Sequence, residues 1–285
     1  MSDTETLQAL FDAGGEVQLE PRTYLLERPL VIPPERGLTV SGRGCGISQL
    51  ILIDGESAIV AVRDRPSGAV TLRDFTVHPG GRSRTAPAIA VTAPTLFAAN
   101  RGAASELFME RVEVMGAGNA AFTHGIYTDN LGTAKIDKCF AQGRFSDVTS
   151  EALAVPGAME CAIEVNGSQE AKITNCVVGG ARCGVHVHGR GPGRGEGIEV
   201  SGCTLVCCDD SIFLEGVPAG TYGGWATPWA VVERNHCFYN RRAVLAVHRS
   251  DLYIGPNSFC GSHLLRPAEE QVGIYLVSCV NTRIM

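Results

Sequence analysis

Gly125-Ile126-Tyr127-Thr128, Ala162-Ile163-Glu164-Val165 and Gly184-Val185-His186-Val187 share one pattern: small residue, apolar, any, apolar. The pattern returns at Ser211-Ile212-Phe213-Leu214, Ala243-Val244-Leu245-Ala246 and Gly273-Ile274-Tyr275-Leu276, with an earlier member at Ala88-Ile89-Ala90-Val91. A second pattern alternates with it, anchored at Leu72, Met109, Ile136, Ile173, Val200, Val232, Ile254 and Ile284. The shortest full cycle, Ile163 to Val185, takes 22 residues. Two-residue alternation inside each piece means strands, and so short a strand repeat cannot bury its own apolar face, so it must stack on its neighbours. The expected fold is all-β, a single-stranded parallel β-helix. With one strand spacing of roughly 4.8 Å per turn, about nine or ten coils make a rod about 45 Å long.

The repeat explains residues that look odd alone. Three positions after the second-pattern anchors stand Phe75, Val112, Cys139, Cys176, Cys203, Asn235 and Asn257. The cysteines of this column read as small apolar residues stacked in the core, and the asparagines as a ladder of side-chain amides. The chain holds 11 cysteines, an odd number, with no CxxC pair, which fits free thiols rather than a disulfide framework. Lys+Arg 24 against Asp+Glu 30 gives a net charge of -6, with no basic field to collect phosphate backbones, so nucleic acid is not an expected partner. No segment has the length of apolar sequence that a membrane span needs. The start, Met1 to Leu7, lacks a basic stretch followed by an apolar run, so the expectation is synthesis in the cytoplasm with no signal peptide and no membrane insertion.

Thr4 to Ala13 predicts a short amphipathic helix with Leu7, Leu10 and Phe11 on one face, ended by Gly14-Gly15. Residues 1–14 are thus expected to form a cap helix, and 15–285 a single β-helix domain whose C-terminal end has no cap. The stretch Gly15-Glu16-Val17-Gln18-Leu19-Glu20-Pro21-Arg22-Thr23-Tyr24-Leu25-Leu26, followed by Leu30-Val31-Ile32-Pro33, resembles the opening coil of the pectate-lyase-like right-handed β-helix superfamily. The likeness of the repeat pattern extends over nearly the whole chain, and it implies a right-handed coil.

Fixing the register fixes the faces. With Ile126, Thr128 and their equivalents inward, the outward columns are Tyr127, Glu164, His186, Phe213, Leu245, Tyr275 and, two residues on, Asp129, Asn166, His188, Glu215, Val247, Val277. Adjacent coils then bring Asp129, Glu164, His186, His188 and Glu215 onto one strip. Carboxylates beside imidazoles are the parts of general acid/base chemistry, on a glycosidic bond or at a sugar carbon bearing a proton. Insertions beyond the minimal repeat lie on the same edge of two neighbouring coils. One loop carries Arg190 and Arg194, the other Tyr222, Trp225 and Trp229. Arginines suit acidic sugars and aromatic faces suit the C–H side of a sugar ring, so these residues join Tyr127 and His186 as candidate substrate contacts.

Cys208-Asp209-Asp210-Ser211-Ile212 is similar to the Gly-Asp-Asp-Cys element of polygalacturonase-type glycosidases, and that resemblance implies Asp209 and Asp210 as acid and base. The register offers a second reading, an ion-pair ladder in which Arg182, Asp209 and Arg241 share a column and Asp210 precedes Arg242. Arg82 and Arg84, near His78, have two readings, contacts for an acidic sugar or a solvated loop, and the loop is the expectation. No aligned acidic trio is present to hold calcium, so neither metal site nor cofactor is expected.

Two readings of function result. The first resembles phage tailspikes and related virion spikes: a particle-associated, receptor-binding protein for cell-surface or capsular polysaccharide, with partner particle proteins. The resemblance implies a homo-oligomer, a trimer in the usual case. The alternative is a polysaccharide hydrolase, lyase or epimerase acting on an acidic glycan along the strip.

Overall fold

The computed structural model describes residues 2–63, 68–93, 105–116, 120–143, 158–189, 194–219, 226–260 and 271–285. A helix, Asp3–Ala13, comes first. The Ser2 hydroxyl accepts from the Glu5 N–H while the Glu5 carboxylate accepts from the Ser2 N–H, a reciprocal cap that satisfies two otherwise orphaned donors. Gly14, at φ 73°, ends the helix. Leu7 and Phe11 are buried as expected, but Leu10 is 45% exposed and Thr4 takes its place. Thr4, Leu7 and Phe11 lie three and four apart, which makes them the inward stripe and turns Leu10 out. The helix covers the first coil through side chains: Gln8 donates to Val31 O at 2.9 Å and accepts from Val31 N at 2.8 Å, and Asp3 accepts from Leu25 N at 2.9 Å. Backbone groups that would form an open sheet edge are thereby paired.

Among the described residues, all strand pairing after the helix is parallel. One sheet has nine strands stacked in chain order: Leu30–Ile32, Ile59–Val62, Ile89–Thr92, His124–Asp129, Met159–Asn166, Ala181–His188, Asp210–Glu215, Arg242–Val247 and Val272–Val277. Each strand is one coil of a parallel β-helix. A second, seventeen-stranded sheet wraps the remaining sides, with most coils giving it two arms such as Thr133–Asp137 and Phe140–Gln142. The register is the one the repeat predicts: Ile126 faces Ile163, then Val185, Ile212, Val244 and Ile274. Ile126, Ile163, Val185, Ile212 and Val244 are wholly buried, so the core is a continuous stack along the coil axis.

Left-handed residues make the corners. Asp74, Arg111, Lys138, Asn175 and Arg234 have φ between 50° and 62°, and Gly202 has φ 66°. Each directly precedes the column of Phe75, Val112, Cys139, Cys176, Cys203 and Asn235, which the bend turns back inward. Such a conformation costs a residue other than glycine about 1–2 kcal/mol. Stacking of the next residue in the chain offsets it: Cys139, Cys176 and Cys203 are buried, Cys203 N donates to Asn235 Oδ1 at 3.0 Å, and Asn235 N donates to Asn257 Oδ1 at 2.9 Å. The expected amide ladder is therefore present, and the cysteines of this column are thiols rather than disulfides.

The small residue that opens the first pattern also has a physical cause. A Cβ on Gly125 would stand 2.5 Å from Ala162 O, and one on Gly184 would stand 2.6 Å from Ser211 O. The backbone of the next coil leaves no space there for a larger side chain. Arg84 departs from the expected solvated loop: it is 2% exposed and its guanidinium donates to Pro79 O and Gly55 O, both at 2.8 Å, and to Leu52 O. Arg82 remains exposed and pairs with Asp54 and Glu56.

Candidate functional site

The outward strip forms on the nine-stranded sheet as the register requires. Tyr127 faces Glu164, which faces His186 and then Phe213, while Asp129, Asn166, His188 and Glu215 align in the neighbouring column. Adjacent coils thus bring together groups far apart in the chain. The Glu164 carboxylate lies at its centre, with Oε2 2.9 Å from His124 Nε2 and Oε1 3.3 Å from His188 Nε2. His188 Nδ1 lies 2.9 Å from Glu215 Oε2, and His186 Nε2 lies 3.3 Å from the same oxygen. The His186 ring stacks on Phe213 at 4.2 Å between centroids and stands 3.6 Å from the His188 ring. Asn166 Nδ2 donates to the Tyr127 hydroxyl at 3.3 Å.

Burial sets the electrostatics of this cluster. It pushes the Glu164 carboxyl upward, but the imidazoles of His124 and His188 beside it outweigh burial and hold the group well below the usual carboxylate range. Glu164 is therefore an anion across the physiological range. Burial, reinforced by the neighbouring His188, pushes His186 down to about 3, so its imidazole is neutral at pH 7. Three imidazole nitrogens in the cluster, His124 Nδ1, His186 Nε2 and His188 Nε2, are shielded from solvent and make no hydrogen bond of acceptable geometry among the described residues.

Beside the cluster runs a cleft of about 340 Å³, whose lining includes His124, Glu164 and His186 together with Arg182, Asp209, Asp210, Arg241 and Arg242. Asp210 accepts from Arg242 Nη2 at 2.7 Å, with a second contact through Nε, which is the pairing the register predicts. Asp209 continues the backbone ladder between Arg182 and Arg241. The Arg182 side chain pairs with Glu160 at 3.1 Å, whereas Arg241 has a buried Nε with no partner.

The loops are described only in part. Arg190, Tyr222 and Trp225 lie outside the described residues. Their roots adjoin as expected: Val217 N donates to Thr227 Oγ1 at 3.0 Å, and Gly189 packs against the same Thr227. Arg194 is half-buried at one root. Trp229 is 64% exposed with φ 58°, and its backbone bonds to Ser250 and Ile198 at the entry to Ala230–Glu233 on the other sheet.

His124 was not among the residues expected at this site. Strict alternation counted back from Ile126 turns it inward. The small residue Gly125 takes an inward place next to Ile126, its missing Cβ directed at Ala162 O and Ala141, and parity shifts so that His124 reaches Glu164. Irregular small-residue positions in the first pattern were the available signal. A ligand set was also missed: one donor atom each from Glu164, His186 and His188 falls within 4.8 Å of the others, a group able to hold a metal ion. It contains two imidazoles, so a search for an acidic trio passes over it.

No family model matches the chain, and no curated protein matches it. Solved structures do resemble it. The A-module of Azotobacter vinelandii mannuronan C-5 epimerase AlgE6 is similar at TM-score 0.65 and 15% identity, covering 90% of this chain and 66% of that one. The A-module of AlgE4 from the same organism gives 0.61 at 17% identity, covering 100% of this chain and 72% of the other. Bacteriophage phi29 gene product 12 gives 0.56 at 12% identity, over 99% of this chain and 40% of the phage protein. The chain thus spans about two thirds of one epimerase module and a smaller part of the phage protein. At such identities the likeness is one of fold, and this chain is a right-handed parallel β-helix of the kind those proteins share.

Proposed function

We propose that the chain processes an acidic polysaccharide by acid/base chemistry at a sugar carbon next to a carboxyl group. The observation that carries this reading is the His124–Glu164 pair at the edge of an open cleft. A carboxylate that accepts from His124 Nε2 fixes the tautomer of the ring and leaves Nδ1 with a lone pair. This nitrogen is shielded in the free chain, and on this reading a bound glycan turns the ring toward the cleft, where Nδ1 acts as the general base. Tyr127 stands one coil away from Glu164. Its hydroxyl oxygen accepts from Asn166 Nδ2, which positions a phenol beside the pair as the candidate acid. Arg241, which also lines the cleft, can balance the substrate carboxylate as the adjacent carbon loses its proton. Return of a proton to the opposite face gives an epimer. Loss of the neighbouring glycosidic oxygen instead gives an unsaturated product.

The test is incubation with a panel of polyuronates and capsular polysaccharides in D₂O. Deuterium incorporation at the carbon next to the carboxyl, or absorbance of an unsaturated uronate, supports the reading, and neither signal on any acidic glycan overturns it. A second reading keeps the glycan and drops the turnover: a particle-borne, homotrimeric spike that binds host polysaccharide. The exposed Trp229 ring, a platform for a sugar face, favours it. Retention on a glycan column without product, weakened by Trp229→Ala, would select this reading.

A further inference from the structure

We infer that Glu164, His186 and His188 form a binding site for a divalent transition-metal ion of the zinc class. The inference goes beyond the glycan reading and does not depend on it. Two imidazoles and one carboxylate are a donor set for zinc and its neighbours, whereas calcium takes oxygen ligands throughout. The spacing fits as well. Donors bound about 2.0–2.1 Å from a tetrahedral ion stand roughly 3.3 Å apart, and Glu164 Oε1 is 3.3 Å from His188 Nε2. One donor atom from each of the three residues lies within 4.8 Å of the other two.

The surroundings are those of a prepared site. The Nε2 atoms of His186 and His188 are shielded from solvent and have no well-formed hydrogen bond among the described residues, so neither nitrogen is committed to another partner inside the cluster. His188 turns its other nitrogen, Nδ1, toward Glu215 Oε2 at 2.9 Å, the carboxylate–histidine arrangement that orients a ligating imidazole. Glu164 is held likewise, since the oxygen not offered to the ion accepts from His124 Nε2 at 2.9 Å. Phe213 stacks on His186 and fixes that ring. Glu164 and His186 line the cleft, so the fourth coordination position opens toward solvent or a ligand oxygen.

The experiment uses the whole chain, stripped with a chelator and kept reduced, with no glycan present. Titration with Zn²⁺ followed by calorimetry is expected to give one ion per chain. Co²⁺ in its place is expected to give visible d–d bands without the thiolate-to-metal charge transfer that binding to any of the cysteines would produce. His186→Ala and His188→Ala should each abolish the stoichiometric site, and Glu215→Gln should weaken it about 10–100-fold through the orienting bond. A wild-type chain that takes up no stoichiometric ion overturns the inference, as does uptake that the histidine variants leave unchanged or a thiolate signature in the cobalt spectrum. Should a histidine variant fail to fold, the wild-type cobalt spectrum and the Glu215→Gln affinity decide alone. Glycan turnover by the stripped protein is scored separately, so loss of one reading is distinguishable from loss of the other.

Discussion

The first three coils and the next four of the nine-stranded sheet share one ladder but differ in what they show to solvent. A single outward column runs Val31, Val60, Ala90 and then Tyr127, Glu164, His186, Phe213. Its neighbour runs Val62, Thr92 and then Asp129, Asn166, His188, Glu215. Inward positions do not change in this way: Ile59, Ile89, Ile126, Ile163, Val185 and Ile212 are apolar and wholly buried throughout. The ladder is made of backbone hydrogen bonds and is indifferent to outward side chains, so a site can be written on some coils without altering the fold. Core positions answer to packing, and outward positions in the middle coils answer to chemistry.

Substitutions should separate the two roles. The largest effect is expected from His124→Ala, which on the proposed reading lowers kcat on an acidic glycan by about 10²–10⁴-fold. Glu164→Gln should lower kcat with little change in KM, because it acts by positioning His124. Equal loss of activity from Val60→Ala, on an early coil, would break the contrast. On the inward side the pattern inverts: Ile163→Ala is expected to cost about 2–5 kcal/mol of stability in urea unfolding. Asn235→Ala should cost about 1–3 kcal/mol, since it leaves Cys203 N, among other buried groups, without its partner.

The smallest effect is a pH dependence. The Glu164 carboxyl is depressed in the fold from its ordinary value of 4.5, so its contribution is present above that value and fades as the pH falls below it toward the depressed native value. The stability difference between wild type and Glu164→Gln should therefore shrink on acidification below about pH 4.5 and stay constant between pH 6 and 8. A difference that grows with acid would contradict the burial of Glu164 between His124 and His188.

Much of this was legible in the sequence. The repeat identified the strands, the 22-residue coil and the inward and outward columns, because stacking in register needs only apolar residues at a fixed interval. Glu164, His186, His188 and Glu215 were found for that reason, and so were the cysteine and asparagine columns and the Asp210–Arg242 pair. The helix was legible too, apart from Leu10, whose side a ten-residue pattern left to the packing on Val31. Arg84 was misread because a charged side chain in a glycine-rich turn has no local sign that carbonyls will surround it. The left-handed corners occupied by Asp74, Arg111, Lys138 and Arg234 obey no residue-type rule either.

The sequence by itself therefore determined the periodic part: which residues form strands, which face they take, and which neighbours they meet one coil away. Only the tertiary structure decided the local and non-periodic part. The inward turn at Gly125 reversed the parity of His124 and brought it to Glu164, and side-chain rotamers chose which nitrogen of His188 meets Glu164 and which meets Glu215. Periodicity is encoded many times over along the chain and survives any single exception. Such a contact depends on backbone and side-chain torsions at a few residues, with no repetition to reveal it.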